Sequence, residues 1–177
     1  MTTSITPTEF IKIVAGDGLM LKQLESEDAE AVFSLIELDR EHLKKFDEEL
    51  LEKYKTVAAV RMSITMPERG KVQLAMWEDK KVVGGMNLQF RPGHIAELHF
   101  WTGRRYTGQT HGVRAVQMFA DYAFNHLDVH RLVSFLAPGN KDGEKVLQEA
   151  GFTHVGIVFI NRKPRWEYEL RRPVPEE

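Results

Sequence analysis

The chain has 177 residues, no cysteine, a net charge of −2, and 42% hydrophobic and 28% charged residues. That length suits one domain with a sizeable core, and the composition is that of an ordinary globular protein. The balance disfavours nucleic-acid partners, no apolar run approaches the ~20 residues of a membrane span, and the missing cysteines exclude disulfides, thiolate metal sites and a cysteine nucleophile.

The N-terminus lacks a basic segment followed by an apolar core, so no signal peptide is expected, and the cytoplasm is the expected compartment. Residues 1–16 form a weakly patterned lead. Met20, Leu21 and Leu24 predict a short strand over 18–24. Ser26 with Glu27 and Asp28 reads as an N-cap and acidic first turn. Ala29, Val32, Phe33, Leu35, Ile36 and Leu43 then carry the stripe of one amphipathic helix. A second helix is predicted from Glu48 to Ile64, closed by Pro67 and Gly70. Between Glu25 and Lys53 stand eleven acids against four bases. That is either a field drawing in a cationic amine or a solvated helical face.

Strands follow. Val72 to Trp77 and Val82 to Phe90 flank a hairpin turn, Glu78-Asp79-Lys80-Lys81. Gly84-Gly85 inside the second strand predicts a bulge or a close backbone approach. Arg91-Pro92-Gly93 is a turn, and Ile95 to Trp101 is a third strand carrying Glu97. It runs into a basic, glycine-containing turn, Thr102 to Gly112, and then an amphipathic helix, Val113 to Leu127, with the best-defined apolar face in the chain. Strand, glycine turn and helix expose unpaired backbone N–H groups in a favourable dipole field, and Arg104 and Arg105 add charge. The stretch reads as a phosphate or pyrophosphate seat, although an ordinary strand–loop–helix connection shows the same residues. It is neither a Walker A loop nor a dinucleotide fingerprint. Arg131 to Leu136 is a strand, Ala137-Pro138-Gly139-Asn140 a turn, and Val146, Leu147 and Ala150 a short helix ended by Gly151. Phe152 to Ile160 and Trp166 to Leu170 are two last strands, and residues 172–177 a peripheral tail. No repeat or linker divides residues 1–177. His126 and His130 stand four apart without a third ligand and read as structural, so no metal is expected. Arg162, Lys163 and Arg165 read as a solvated basic turn.

Three stretches together resemble the GNAT superfamily of acetyl-CoA-dependent N-acetyltransferases, and most closely the branch of bacterial ribosomal-protein N-terminal acetyltransferases. Arg105-Tyr106-Thr107-Gly108-Gln109-Thr110 is similar to the family's pyrophosphate loop, Arg/Gln-x-x-Gly-x-Gly/Ala. Asp121-Tyr122-Ala123-Phe124 with His130-Arg131-Leu132 is similar to Tyr-Ala-Phe and Leu-His-Arg signatures of that branch. Asn140 followed by Val146-Leu147-Gln148-Glu149-Ala150-Gly151-Phe152 is similar to its Asn-x-x-Ser-x-x-Val-Leu-x-x-x-Gly-Phe. The likeness runs from about Leu19 to Leu170. It implies an α+β fold, a V-split mixed sheet of about seven strands flanked by helices, with the cosubstrate in the split. Two positions depart from the pattern. Thr110 replaces a glycine or alanine, with Gly112 as partial compensation, and Gly143 replaces a serine whose hydroxyl can serve near the thiol.

The resemblance implies acetyl transfer to a primary amine, on a small molecule or a protein N-terminus, by direct attack in a ternary complex. It assigns cosubstrate binding to the backbone of Phe100, Trp101 and Thr102, to the loop Arg105, Tyr106, Thr107, Gly108, Gln109, Thr110, His111 and Gly112, and to Asn140. Glu97 matches the catalytic glutamate of the histone-acetyltransferase branch, and a structural ion pair is its alternative role. His99 shares the side-chain parity of Glu97 and can replace or assist it. The partners implied are acetyl-CoA and an amine acceptor, with a monomer or homodimer, no nucleic acid and no membrane. The other reading is a catalytically weak GNAT-fold module that binds acyl-CoA or a protein partner, kept open by Thr110 and Gly143.

Overall fold

A computed structural model of the protein describes residues 7–107 and 110–175. The strands are β1 (Lys12–Val14), β2 (Leu19–Gln23), β3 (Lys71–Glu78), β4 (Lys81–Arg91), β5 (Ile95–Thr102), β6 (Arg131–Leu136), β7 (Thr153–Ile160) and β8 (Lys163–Arg171). The helices are α1 (Ala29–Leu38), α2 (Arg40–Leu43), α3 (Glu48–Lys53), α4 (Val57–Thr65), α5 (His111–His126) and α6 (Lys141–Glu149). The strands form one sheet in the order β1-β2-β3-β4-β5-β6-β8-β7. All neighbours are antiparallel except β5 and β6.

Two expected helices are each divided. The stripe from Ala29 to Leu43 breaks at Asp39, whose φ −110 and ψ 18 leave helical space. The stretch from Glu48 to Ile64 breaks at Tyr54, after which Thr56 caps α4 by accepting from the Ala59 N–H. Tertiary contacts hold that break in place. Tyr54 is buried and donates to Gln73 Oε1 of β3 at 2.7 Å, while Gln73 Nε2 donates to the Ser63 carbonyl of α4. A continuous helix would forfeit these buried polar pairings. Glu25, rather than Ser26, begins the first helical turn, in a reciprocal capping box with Asp28. The lead contributes β1 as an additional edge strand, giving eight strands rather than about seven.

Apolar side chains fill both faces of the sheet. One core packs α5 through Val116, Phe119, Ala120 and Ala123 against Leu74, Leu88, Leu98 and Leu132. The other packs Val32, Ile36, Leu50, Leu51 and Val60 of α1, α3 and α4 against Ala75, Val82 and Trp101. Gly84 and Gly85 serve both expected purposes. The β3–β4 register shifts between Met76 and Trp77, which makes Val83 the extra residue of a bulge. A Cβ at Gly84 would lie 2.4 Å from the Trp101 carbonyl oxygen, and one at Gly85 2.5 Å from the Trp101 indole nitrogen. Both glycines therefore let β5 and its tryptophan approach β4 closely.

The parallel pair is short. β5 and β6 share register at Ile95↔Arg131, Ala96↔Leu132 and Glu97↔Val133. Beyond that point β5 runs on to Thr102 and β6 to Leu136 without pairing to each other. The bulge at Val83 lies beside the upper part of β5, where it adds bend and twist. The sheet opens there into a V.

Candidate active site

The V leads into a cavity of about 780 Å³. Its floor is the unpaired edge of β5. Paired residues on neighbouring antiparallel strands alternate in the direction of their backbone groups. The Gly103 N–H donates to the Val83 carbonyl, and the Trp101 carbonyl points at Gly84, so the odd-numbered residues serve β4. The even-numbered ones face the split. Ser134, buried on β6, donates its hydroxyl to the Leu98 carbonyl at 2.9 Å, closing the apex of the V. Phe100 and Thr102, further up, present backbone groups to the cavity. Trp101 turns its carbonyl away toward β4, and its side chain packs in the core over Gly85.

The basic loop enters one wall. Gly108 and Gln109, expected at its centre, lie outside the described residues. Arg104, Arg105 and Tyr106 make a short 3-10 turn, and Arg105 is exposed. The Thr107 hydroxyl donates to the Gly103 carbonyl at 3.3 Å and lies 3.1 Å from His42 Nε2 and 3.3 Å from the Thr102 hydroxyl. Burial holds His42 below its ordinary pKa, although Asp39 opposes this. Thr110 precedes α5 in helical conformation, exposed and without a side-chain cap bond. His111, expected at the anion seat, turns elsewhere. Its Nε2 meets Glu78 Oε1 of β3 at 2.8 Å, and its ring stands edge-on to Tyr106. Gly112 is buried, with room for a Cβ only 3.3 Å from Val146 of α6, so its small size seats the two helices together. Asn140 lines the cavity and caps α6, its Oδ1 accepting from the Gly143 N–H at 3.0 Å.

The opposite wall combines α2, α3 and the β7–β8 hairpin. Of the acidic residues between Glu25 and Lys53, Asp47, Glu48, Glu49 and Glu52 line the cavity. Lys163 and Arg165 line it from β8, and the turn they belong to is largely exposed, as expected of a solvated basic turn. The hairpin tip turns at Asn161 and Arg162, both left-handed with φ 50 and φ 64, which brings the basic residues back over the cleft.

β5 brings Glu97 and His99 to the cavity. Arg91 holds Glu97 Oε2 through Nη2 at 2.7 Å and Nε at 3.2 Å. His99 meets a residue not singled out in the sequence. Its Nε2 lies 2.6 Å from Asp47 Oδ2, an ion-pair contact whose angle is poor for a hydrogen bond. Asp47 Oδ1 accepts from the Leu50 N–H at 2.9 Å and caps α3. The His99 side chain is 43% exposed and the Asp47 side chain 13%. Desolvation pushes His99 down, but the Asp47 carboxylate outweighs it, with help from Glu49 and Glu97, and the imidazole is raised above its ordinary pKa of 6.5. Desolvation pushes Asp47 up, and His99 with the Leu50 N–H brings it net below its ordinary range. The local signal for this residue is an aspartate before an acidic stretch, Asp47-Glu48-Glu49, which suits an N-cap. Its pairing with His99 has no local signal, because it is a tertiary contact.

His130 pairs with neither His126 nor the cleft. Its ring stacks on His94 at 4.5 Å and 14°, and Asp128 contacts both imidazoles. This exposed cluster sits where β5 and β6 begin, at the paired end of the sheet. Its three ligand atoms lie within 4.8 Å of one another. An ion lying in both ring planes would require one of the stacked rings to turn.

A family model described as an acetyltransferase (GNAT) domain matches residues 18–153. The chain is 27% identical over 161 residues to "Probable N-acetyltransferase YjcK" of Bacillus subtilis (strain 168), covering 85% of this chain and 89% of that protein. Among solved structures, a RimL ribosomal L7/L12 alpha-N-protein acetyltransferase in complex with coenzyme A superposes with a TM-score of 0.81 at 14% identity, over 91% of this chain and 98% of that one. The ribosomal-protein-S5-alanine acetyltransferase from Vibrio fischeri superposes with a TM-score of 0.79 at 17% identity, over 92% and 97%. An aminoglycoside acetyltransferase, AAC(6')-Ib, with coenzyme A gives 0.74 at 15% identity, over 87% and 95%.

Proposed function

The chain belongs to the GNAT acetyltransferase family, and from that premise we propose that it moves an acetyl group from acetyl-CoA to a primary amine, on a small molecule or a protein N-terminus, by direct attack in a ternary complex. The observation that carries the reading is the opening of β5 from β6 beyond Glu97 and Val133, above a cavity of about 780 Å³. Acetyl-CoA supplies an activated thioester. The residues present fit it: the free edge of β5 at Phe100 and Thr102 offers main-chain groups, as a strand edge does to an incoming strand. Asn140 keeps its amide nitrogen for a ligand, since its oxygen caps α6. The described part of the loop, Arg105 to Thr107, and the first turn of α5 suit the pyrophosphate.

The amine enters from the acidic wall of Glu48, Glu49 and Glu52. Its nitrogen bonds to the acetyl carbon as the carbon–sulfur bond breaks, the coenzyme leaves as a thiolate, and the amine's proton passes to the face of β5 bearing Glu97 and His99. Positioning two substrates in one cleft removes much of the entropic barrier, and a placed base adds typically ~10²–10⁴-fold. The working compartment on this reading is the cytoplasm.

The test is to incubate the protein with acetyl-CoA and a panel of amines, including peptides with free N-termini, and follow free thiol. Thiol release that requires both substrates is expected. Measurable coenzyme binding with no turnover on any amine would favour a binding module instead.

A further inference from the structure

Asp47 has no role in the chemistry above, yet it is the group in contact with His99. We propose that the two form a dyad in which Asp47, a positioning residue, holds the imidazole through Nε2 so that Nδ1 receives the proton of the attacking amine. This rests on the acyl-transfer reading and selects between the two candidate proton acceptors on β5.

The two oxygens of Asp47 have separate tasks. Oδ1 caps α3 through the Leu50 N–H at 2.9 Å. Oδ2 is closed to solvent and has no aligned hydrogen bond, while His99 Nε2 stands 2.6 Å away. A carboxylate oxygen so enclosed needs a positive or donating neighbour, because an uncompensated buried charge is costly. His99 supplies it by carrying its proton on Nε2, which leaves Nδ1 with the lone pair. The ring is 43% exposed and lines the cavity, so one edge is anchored while the ring remains accessible from the cleft.

The surrounding groups favour the same assignment. Glu49 of α3 and Glu97 of β5 add negative charge near His99, and Asn87 of β4 is its cross-strand partner. Around Asp47, Arg165 of β8 adds positive charge, and the Tyr54 phenol lies within its field. Glu97 differs, because Arg91 engages one of its oxygens through two nitrogens.

In the step, the amine nitrogen forms a bond to the acetyl carbon and loses its proton to Nδ1. The resulting imidazolium is balanced by Asp47, and the coenzyme departs as the thiolate. Asp47 also begins α3, so the helix that carries the acidic wall and the base that serves the amine are fixed by one side chain. Acceptor binding and proton acceptance are thereby built on one element.

The test is the pH dependence of kcat and kcat/KM in the intact protein with acetyl-CoA and an amine that it turns over. Asp47→Asn keeps the cap, since asparagine caps as well as aspartate. It is expected to move the acidic limb to lower pH by about one unit and lower kcat about tenfold. His99→Gln is expected to remove that limb and lower kcat about a hundredfold with coenzyme affinity unchanged. Glu97→Gln is expected to keep the limb. NMR titration of the His99 ring should show a lower pKa in Asp47→Asn than in the wild type, an effect a helix cap alone would not produce. Wild-type turnover with an unmoved limb and an unmoved titration in Asp47→Asn would overturn the dyad alone. Loss of the limb in Glu97→Gln and its retention in His99→Gln would overturn it in favour of Glu97. A wild-type protein inactive on every amine would overturn the acyl-transfer reading and the dyad with it.

Discussion

The two walls of the cleft are made of different material. On the side proposed for the cosubstrate, the surface is mostly backbone: the free edge of β5 and the first turn of α5, with the Asn140 side chain that caps α6. On the side proposed for the acceptor, it is side chains on short pieces: Asp47, which caps α3, Glu48, Glu49 and Glu52 from α3, and Lys163 and Arg165 from a hairpin. Backbone walls depend on glycines and strand register, and many sequences meet those demands alike. Side-chain walls can vary with the acceptor while the sheet stays intact. On the proposed function, the glycine positions govern whether the cleft forms, and the α3 and hairpin residues govern what enters it.

The largest expected effect breaks the first wall. Gly84→Val places side-chain atoms where a Cβ alone would be 2.4 Å from the Trp101 carbonyl. It should destabilise the fold by about 3 kcal/mol; a urea melt within experimental error of wild type would show that β4 and β5 can part without cost. Gly143→Ser restores the hydroxyl typical of the resembled branch, but its Cβ would stand 2.8 Å from Asn140 Nδ2. The α6 cap should loosen, at about 1 kcal/mol, with weaker coenzyme binding. Equal stability and tighter binding would mean that Asn140 yields easily.

The acceptor wall is probed by charge. Replacing Glu48, Glu49 and Glu52 together by glutamine should raise KM for a cationic amine about fivefold at low ionic strength, with less effect at high salt and kcat little changed. A KM indifferent to both substitution and salt would leave those acids as a solvated face. The smallest effect is expected at Arg91→Ala, since Arg91 is 55% exposed and such pairs contribute roughly 0–1 kcal/mol. A large loss of kcat there would point back to Glu97.

Stability against pH separates Asp47 from its neighbours. His99 has a raised pKa, so its contribution is complete below the ordinary histidine value and fades as pH rises through the folded-state value. Asp47 has a lowered pKa, so its contribution is present above the ordinary carboxylate range and fades as pH falls through the folded-state value. The stability difference between wild type and Asp47→Asn, followed by urea melts across pH, should peak between those limits. A flat difference would mean that the pair is electrostatically silent.

The same contrast explains what could be read from the residues in order. Strand periodicity, Gly84-Gly85, the face of α5 and the glycine after α6 are local signals, and they located the strands and helices, while the V was implied only by the family resemblance of three short motifs. Asp39 and Tyr54 interrupt helices because of tertiary partners, Gln73 among them, that lie far along the chain. Side-chain parity put His99 beside Glu97 on one face of β5 but said nothing of Asp47 across from it. His111 looked like part of an anion loop by position, yet its ring is claimed by Glu78. The tip from Asn161 to Arg165 is largely exposed, as its basic residues suggest, but nothing local announces that a two-residue turn brings Lys163 and Arg165 to the rim of the cleft.

Amide hydrogen exchange with and without coenzyme A tests the location of the site most directly. Protection is predicted for the amides of Phe100 and Thr102 and for the first turn of α5, with little change in the groove between α5 and β8 lined by Gln117, Phe124 and Leu170. Protection confined to that rear groove, with Phe100 and Thr102 unchanged, would contradict the account.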